Sequence, residues 1–175
     1  MARICIVYRE RSTWVAKDVE ILREKYDVEE VHFTNMRGIR RIKKLYGGVR
    51  YSDLVFAWFA NDHSYIASRL AKLLKKPIVI ALGGGDVTAI KPLNYGNLLR
   101  YPWKFYVARS LDCADLVLAP SLFTRWEAFM RLRKLNPNKI LVLYHGFDPE
   151  KYAPHSCKKD MVLTIGFIDK ITIFR

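Results

Sequence analysis

The chain has 175 residues, 51% of them apolar, and carries 30 Lys and Arg against 17 Asp and Glu, a formal charge of +13. That length and apolar content exclude a disordered chain, no apolar run approaches the roughly 18 residues of a membrane-spanning helix, and the N-terminus lacks the apolar stretch of a signal peptide. Three widely spaced cysteines, Cys5, Cys113 and Cys157, fit neither a disulfide framework nor a zinc site, so the default compartment is the cytoplasm, and the charge calls for an anionic partner.

Arg3 to Tyr8 is apolar and β-prone and reads as a first strand. Ser12 or Thr13 can cap the following helix, in which Val15, Val19, Leu22 and Tyr26 recur at helical spacing. The loop between them, Arg9-Glu10-Arg11-Ser12, reads in two ways: Arg9 and Arg11 as a phosphate clamp at a helix start, or as solvated loop charges. Asp27 to Phe33 is a second strand. Met36 to Tyr51 then carries six bases and no acid; as a helix it sets Ile39, Ile42, Leu45 and Tyr46 apart from the bases. Such a helix suits a membrane surface, or is an ordinary solvated face.

Asp53 to Phe59 is a third strand, followed by a helix capped by Asn61 or Asp62 and marked by Ile66, Leu70, Leu73 and Leu74. His63 reads as a helix-start residue. Ile78 to Leu82, apolar throughout as a strand covered on both faces should be, runs into Gly83-Gly84-Gly85-Asp86. Glycines at a strand end permit positive φ and close approach of backbone to a ligand, and their N–H groups can form an anion-binding nest; a tight turn is the plain alternative. Asn94 to Asp112 interleaves Tyr95, Tyr101, Trp103, Phe105 and Tyr106 with Arg100, Lys104 and Arg109. That pattern suits a membrane interface, stacking on single-stranded nucleic acid, or a core-facing stripe of Trp103, Tyr106 and Val107.

From Ala114 the order is strand (Leu116 to Ala119), helix, strand (Ile140 to Tyr144). Thr124 and Glu127 have capping-box spacing, Trp126, Phe129 and Met130 line one helix face, and Asn136-Pro137-Asn138 ends the helix. Strand-helix-strand units join parallel strands, and ligands gather at the carboxyl ends of such strands, where Ser121 and His145-Gly146 fall. The expected fold is therefore α/β: a Rossmann-like three-layer domain with a mostly parallel sheet.

The same residues carry a family resemblance. Ala114-Asp115, Ala119-Pro120-Ser121, Asn136-Pro137-Asn138-Lys139-Ile140, Gly146-Phe147-Asp148 and Lys151-Tyr152 follow in the order seen at the close of the N-terminal domain in family 4 glycosyltransferases of the GT-B fold, with His145 where Asn is usual. Gly84-Gly85-Asp86 is similar to that family's "rGsD" corner, and Met161 to Ile168 resembles the first strand of its second domain, with Gly166 as the glycine near donor phosphate. The resemblance implies residues 1–153 as the acceptor-side domain, 154–160 as linker and 161–175 as the start of a donor domain whose Lys-Gly and Glu-x7-Glu signatures are not in this chain.

What the resemblance implies for function is the acceptor half of a retaining, nucleotide-sugar-dependent glycosyltransferase, inactive alone, with no bound metal or other cofactor. Its partners would be a nucleotide sugar and a sugar, lipid-linked or phosphorylated acceptor; the net charge and the basic Met36 to Tyr51 segment, not the resemblance, add an anionic membrane surface on which the enzyme would sit peripherally. On this reading Gly83, Gly84, Gly85, Asp86 and Ser121 contact acceptor, Asp86 being the candidate for chemistry; Arg9, Arg11, His145, Gly146 and Gly166 line the cleft or bind phosphate. The charge and the interleaved aromatics leave a nucleic-acid-binding module, and the fold alone a noncatalytic interaction domain, as alternatives. The absence of glutamine fits a thermophile's composition.

Overall fold

The apolar runs become β1 (Arg3–Tyr8), β2 (Asp27–His32), β3 (Leu54–Trp58), β4 (Ile78–Ala81), β5 (Leu116–Ala119) and β6 (Ile140–Val142). They are joined by α1 (Thr13–Arg23), α2 (Gly38–Tyr51), α3 (Asp62–Leu73), α4 (Trp103–Cys113) and α5 (Leu122–Arg131). This computed structural model describes residues 1–34, 38–146 and 149–150. The sheet has the order β2-β1-β3-β4-β5-β6 and every pairing is parallel. The expected three-layer α/β architecture is the one observed. The linker 154–160, the segment 161–175 and Gly166 lie outside the described residues, as do Met36, Phe147 and Asp148.

Alternate residues of each strand enter two separate cores. Cys5, Val7, Val55, Ala57, Ile80 and Val117 pack under Leu45 and Val49 of α2, Ala67 and Ala71 of α3, Val107 and Leu111 of α4 and Ala128 of α5. On the opposite face Ile4, Ile6, Phe56 and Trp58 pack under Val15 and Val19 of α1. Gly48 lets α2 lie close to the sheet: a Cβ there would come within 2.7 Å of Cys5 Sγ. Burial pushes the Cys5 thiol up to about 12, so it acts as a small apolar core group.

Topology sets where a ligand can sit. After β1 the chain steps to one side of the sheet, and after β3 it steps to the other, so the switch point lies between their carboxyl ends, at residues 9–12 and 59–61. Open parallel sheets hold ligands in the crevice at such a point.

Two local expectations are corrected. The N-cap of α5 is Ser121: coming straight off β5 in extended conformation, its Oγ accepts from Thr124 N–H at 3.1 Å, while Glu127 forks onto Arg131 at 2.7 and 3.2 Å instead of reaching back to a helix start. Helix α5 therefore buries Thr124, Glu127 and Ala128, and the face bearing Trp126, Phe129 and Met130 points to solvent. In α2 the buried residues are Leu45, Gly48 and Val49, and Ile39 is 72% exposed. The aromatic stripe of α4 is half-buried against α3, with Tyr65 in ring contact with Phe105 and Tyr106, 5.5 and 5.4 Å between centroids.

Candidate functional site

The glycine corner after β4 is built around one buried carboxylate. Asp86, 4% exposed, accepts from Ala60 N–H at 3.0 Å and Gly83 N–H at 3.4 Å through Oδ2, and from Gly84 N–H at 2.9 Å through Oδ1. Burial raises its pKa, while the N–H groups of Ala60, Gly83, Asp86 itself and Gly84 pull it down. The nest that the glycines form thus holds the protein's own anion and ties the end of β4 to the end of β3. Gly84 has a φ of 99°, open only to glycine without strain. Gly83 leaves room for the Phe59 ring, which would stand 2.1 Å from a Cβ.

Ser121 adjoins this corner. Its Oγ lies 3.0 Å from Thr124 Oγ1, and a Cβ on Gly84 would meet that same Oγ1 at 3.6 Å. Backbone at Gly84 and the N-terminus of α5 therefore stand side by side at the sheet's carboxyl edge. Unpaired N–H groups of a helix's first turn give that edge a partial positive charge.

His145 and Gly146, just past β6, border a cavity of about 250 Å³ together with Trp58, Leu82 and Pro120. Leu82 and Pro120 immediately precede Gly83 and Ser121, so the ends of β3, β4, β5 and β6 share this opening. The His145 ring lies 4.7 Å from that of Trp14 and stacks near-parallel to Trp58 at 6.3 Å, an interplanar angle of 15°. Trp58 Nε1–H donates to Asp18 Oδ2 at 3.0 Å. Burial raises the Asp18 pKa, opposed by that hydrogen bond and by the charge of His145. Trp14, Asp18 and Trp58 carried no motif; only their return to the end of β6 makes them part of the site.

The two arginines of the first loop part company. Arg9 reaches across the switch point to Asp62 Oδ1 at 3.2 Å and lies 5.6 Å above the Trp103 ring. Arg11 turns to Glu30 at 3.1 Å, in a cluster with Tyr8 and Arg23 at the β2 edge of the sheet. Near Arg9, Asn97 Nδ2–H donates to Asn61 Oδ1, and Asn61 and Ser64 form a capping box on α3. His63 is fully buried in the first turn of α3, its Nε2–H donating to the Trp58 carbonyl at 2.6 Å. Phe59 holds a φ of 67°, a strained conformation for an aromatic residue, fixed by its N–H on the Ala81 carbonyl and its ring on Gly83. No sequence signal marked it. Among the described residues, no group of three His, Cys, Asp or Glu side chains is placed to hold a metal ion.

The sequence matches no protein-family model and no curated protein. Solved structures do match in fold. UDP-GlcNAc 2-epimerase of Methanocaldococcus jannaschii, in complex with UDP-GlcNAc and UDP, superposes with a TM-score of 0.58 at 11% identity, over 81% of this chain and 46% of that one. HepE of Anabaena, in complex with UDP, gives 0.57 at 16% identity over 87% and 46%. A UDP-N-acetylglucosamine 2-epimerase described as putative, from Listeria monocytogenes, gives 0.54 at 11% over 79% and 43%. The chain thus spans just under half the length of these structures, and at such identities the likeness is one of fold: that of a Rossmann-like GT-B half-domain.

Proposed function

We propose that the chain is the acceptor-side half of a nucleotide-sugar-dependent enzyme, a retaining glycosyltransferase similar to family 4. The observation that carries this reading is that Gly84 and Ser121, side by side, and the His145-Gly146 end, which shares a cavity with their neighbours Leu82 and Pro120, all fall at the carboxyl edge of an all-parallel sheet. The UDP and UDP-GlcNAc held by solved proteins of this fold support it.

In this reading the protein contributes position and charge. Asp86 holds the corner rigid, so that backbone at Gly84 and Gly85 approaches an acceptor without reorganising. The α5 N-terminus and Arg9 stabilise negative charge developing on the leaving diphosphate, as oriented N–H dipoles and a fixed cation do in a water-poor cleft. His145, held on Trp14 and Trp58, borders the acceptor's path, and a second half carries most of the donor contacts. A second reading, sugar-nucleotide epimerase, draws on the activity of two of the similar structures.

Trp14 and Trp58 make the test direct, because both rings lie beside His145. Titration of tryptophan fluorescence with UDP, UDP-GlcNAc and UDP-glucose is expected to give a saturable change with Kd on the order of 1 mM, the range of a partial site. His145→Ala should weaken it. No saturable change with any nucleotide sugar up to ~20 mM, a concentration at which a 1 mM site is nearly full, would overturn the proposal. Product analysis of the protein with its donor half then separates transfer, which yields a glycosylated acceptor and free nucleotide, from epimerisation.

A further inference from the structure

Helix α5 is amphipathic the wrong way round for a globular domain. It turns Thr124, Glu127 and Ala128 inward and sets Leu122, Phe123, Trp126, Phe129 and Met130 outward, with Phe123 62% and Trp126 54% exposed. At 100° per residue these five side chains fall on one stripe along the helix. A shallow groove beside the stripe, lined by Leu122, Trp126, Phe129, Pro137 and Ile140, extends the apolar surface towards β6.

The stripe has a basic neighbour. Between α4 and the chain leaving α5 opens a cleft of about 400 Å³ to which Lys104, Arg109, Arg131, Arg133 and Lys134 contribute, against one acid, Asp112. Arg131 is held by Glu127; no acid pairs with Lys104, Arg109, Arg133 or Lys134 among the ion pairs of the described residues.

We infer that α5 and this cleft together dock the protein on an anionic lipid bilayer, the stripe entering the interface and the bases meeting headgroup phosphates. An aliphatic and aromatic stripe beside clustered Lys and Arg is the composition that interfacial helices use. Charge argues against a second copy as the occupant, since two such clefts would repel. The aliphatic Leu122 and Met130 argue against nucleic acid, which needs rings to stack on. Because α5 begins at Ser121 beside the glycine corner, a bilayer lying on the stripe meets the rim, and an acceptor carried by a lipid would reach it without leaving the surface. The docking claim itself stands apart from the sugar chemistry, and its readout is lipid binding alone.

The test is sedimentation of the chain with phosphatidylglycerol vesicles, with phosphatidylcholine vesicles as the neutral control and a 20-nucleotide single strand as competitor. Three variants are compared: Phe123→Ser with Trp126→Ser, Arg133→Ser with Lys134→Ser, and Ile39→Ser with Arg40→Ser on α2, the other basic helix. All six positions are exposed, and circular dichroism checks that each variant folds. Binding to the anionic vesicles is expected, with partitioning reduced about tenfold or more by the Phe123/Trp126 pair and by the Arg133/Lys134 pair, because each base near such a surface and each inserted ring contributes substantially. The α2 pair should bind like the parent. No anionic vesicle binding, loss through the α2 pair alone, displacement by the oligonucleotide at equal charge, or a dimer in sedimentation equilibrium that the α5 pair dissolves would each overturn it.

Discussion

The glycine corner adjoins the start of α5, and the corner and the outer side of that helix handle their chemistry in opposite ways. At the corner, groups that look made for a ligand are matched within the protein: the nest's N–H groups of Gly83 and Gly84 donate to Asp86. On α5, groups that look made for a core are left unmatched: Trp126 and Phe129 face solvent while Thr124 and Ala128 face the sheet. The difference teaches that residue type announces what a group needs, and only the fold decides whether the protein or a partner supplies it. Substitutions at the corner should therefore cost stability, and those on α5 should spare it.

The largest effect is expected from Asp86→Ala, which leaves the buried N–H of Ala60 and the part-buried N–H groups of Gly83 and Gly84 without their acceptor and should lower unfolding free energy by about 3 kcal/mol in urea denaturation. If stability held, the corner would not be closed on itself. Gly83→Ala should cost about 2 kcal/mol, since the Phe59 ring occupies the place of its Cβ and cannot move without disturbing a backbone already at positive φ. Ser121→Ala removes the N-cap of α5 and should cost about 1 kcal/mol, with Asn as a partial rescue.

A smaller effect follows pH. For Glu30 the largest single influence, burial, pushes the carboxyl up, but the hydrogen bonds from Tyr8 and Arg11 and the charges of Arg11 and Arg23 together bring it below the ordinary value. A depressed folded-state pKa means stability that is present above the ordinary Glu value and lost as pH falls through the folded one. Urea midpoints should thus fall below about pH 4, and Glu30→Gln should flatten part of that fall. The smallest change belongs to α5: Trp126→Ser should alter stability by less than about 0.5 kcal/mol, as an exposed site does. A loss of about 2 kcal/mol or more, the size of a core deletion, would show that the stripe is covered after all.

The six strands and their parallel arrangement could be read from the sequence, because a parallel sheet covered on both faces needs uninterrupted apolar runs such as Ile78 to Leu82. The orientation of α5 could not. Periodicity separates two faces of a helix without saying which one meets the sheet, and here small Thr124 and Ala128 allow the helix to lie close. Two capping patterns overlapped, Ser121 with Thr124 and Thr124 with Glu127, and the residue nearer the strand end took the role. The corner's glycines were legible as a turn with donors, but not that Asp86 would itself fill the nest. The pairing of Arg9 with Asp62, the opposite turn of Arg11, and the assembly of Trp14, Asp18 and Trp58 around His145 depend on residues distant in sequence and had no local mark.

The central claim is that the carboxyl edge of β3 to β6 lines the cleft where acceptor and nucleotide sugar meet, so that a nucleotide sugar added alone still touches it. Amide chemical shifts of the 15N-labelled chain, followed while UDP-GlcNAc is added, test it residue by residue. The account predicts shifts gathered at Gly84, Gly85, Ser121, Leu122, His145 and Gly146, with the amino ends of the strands, around Arg3, Asp53 and Pro77's neighbours, unmoved. Shifts confined to those amino ends, or none at saturating ligand, would contradict it.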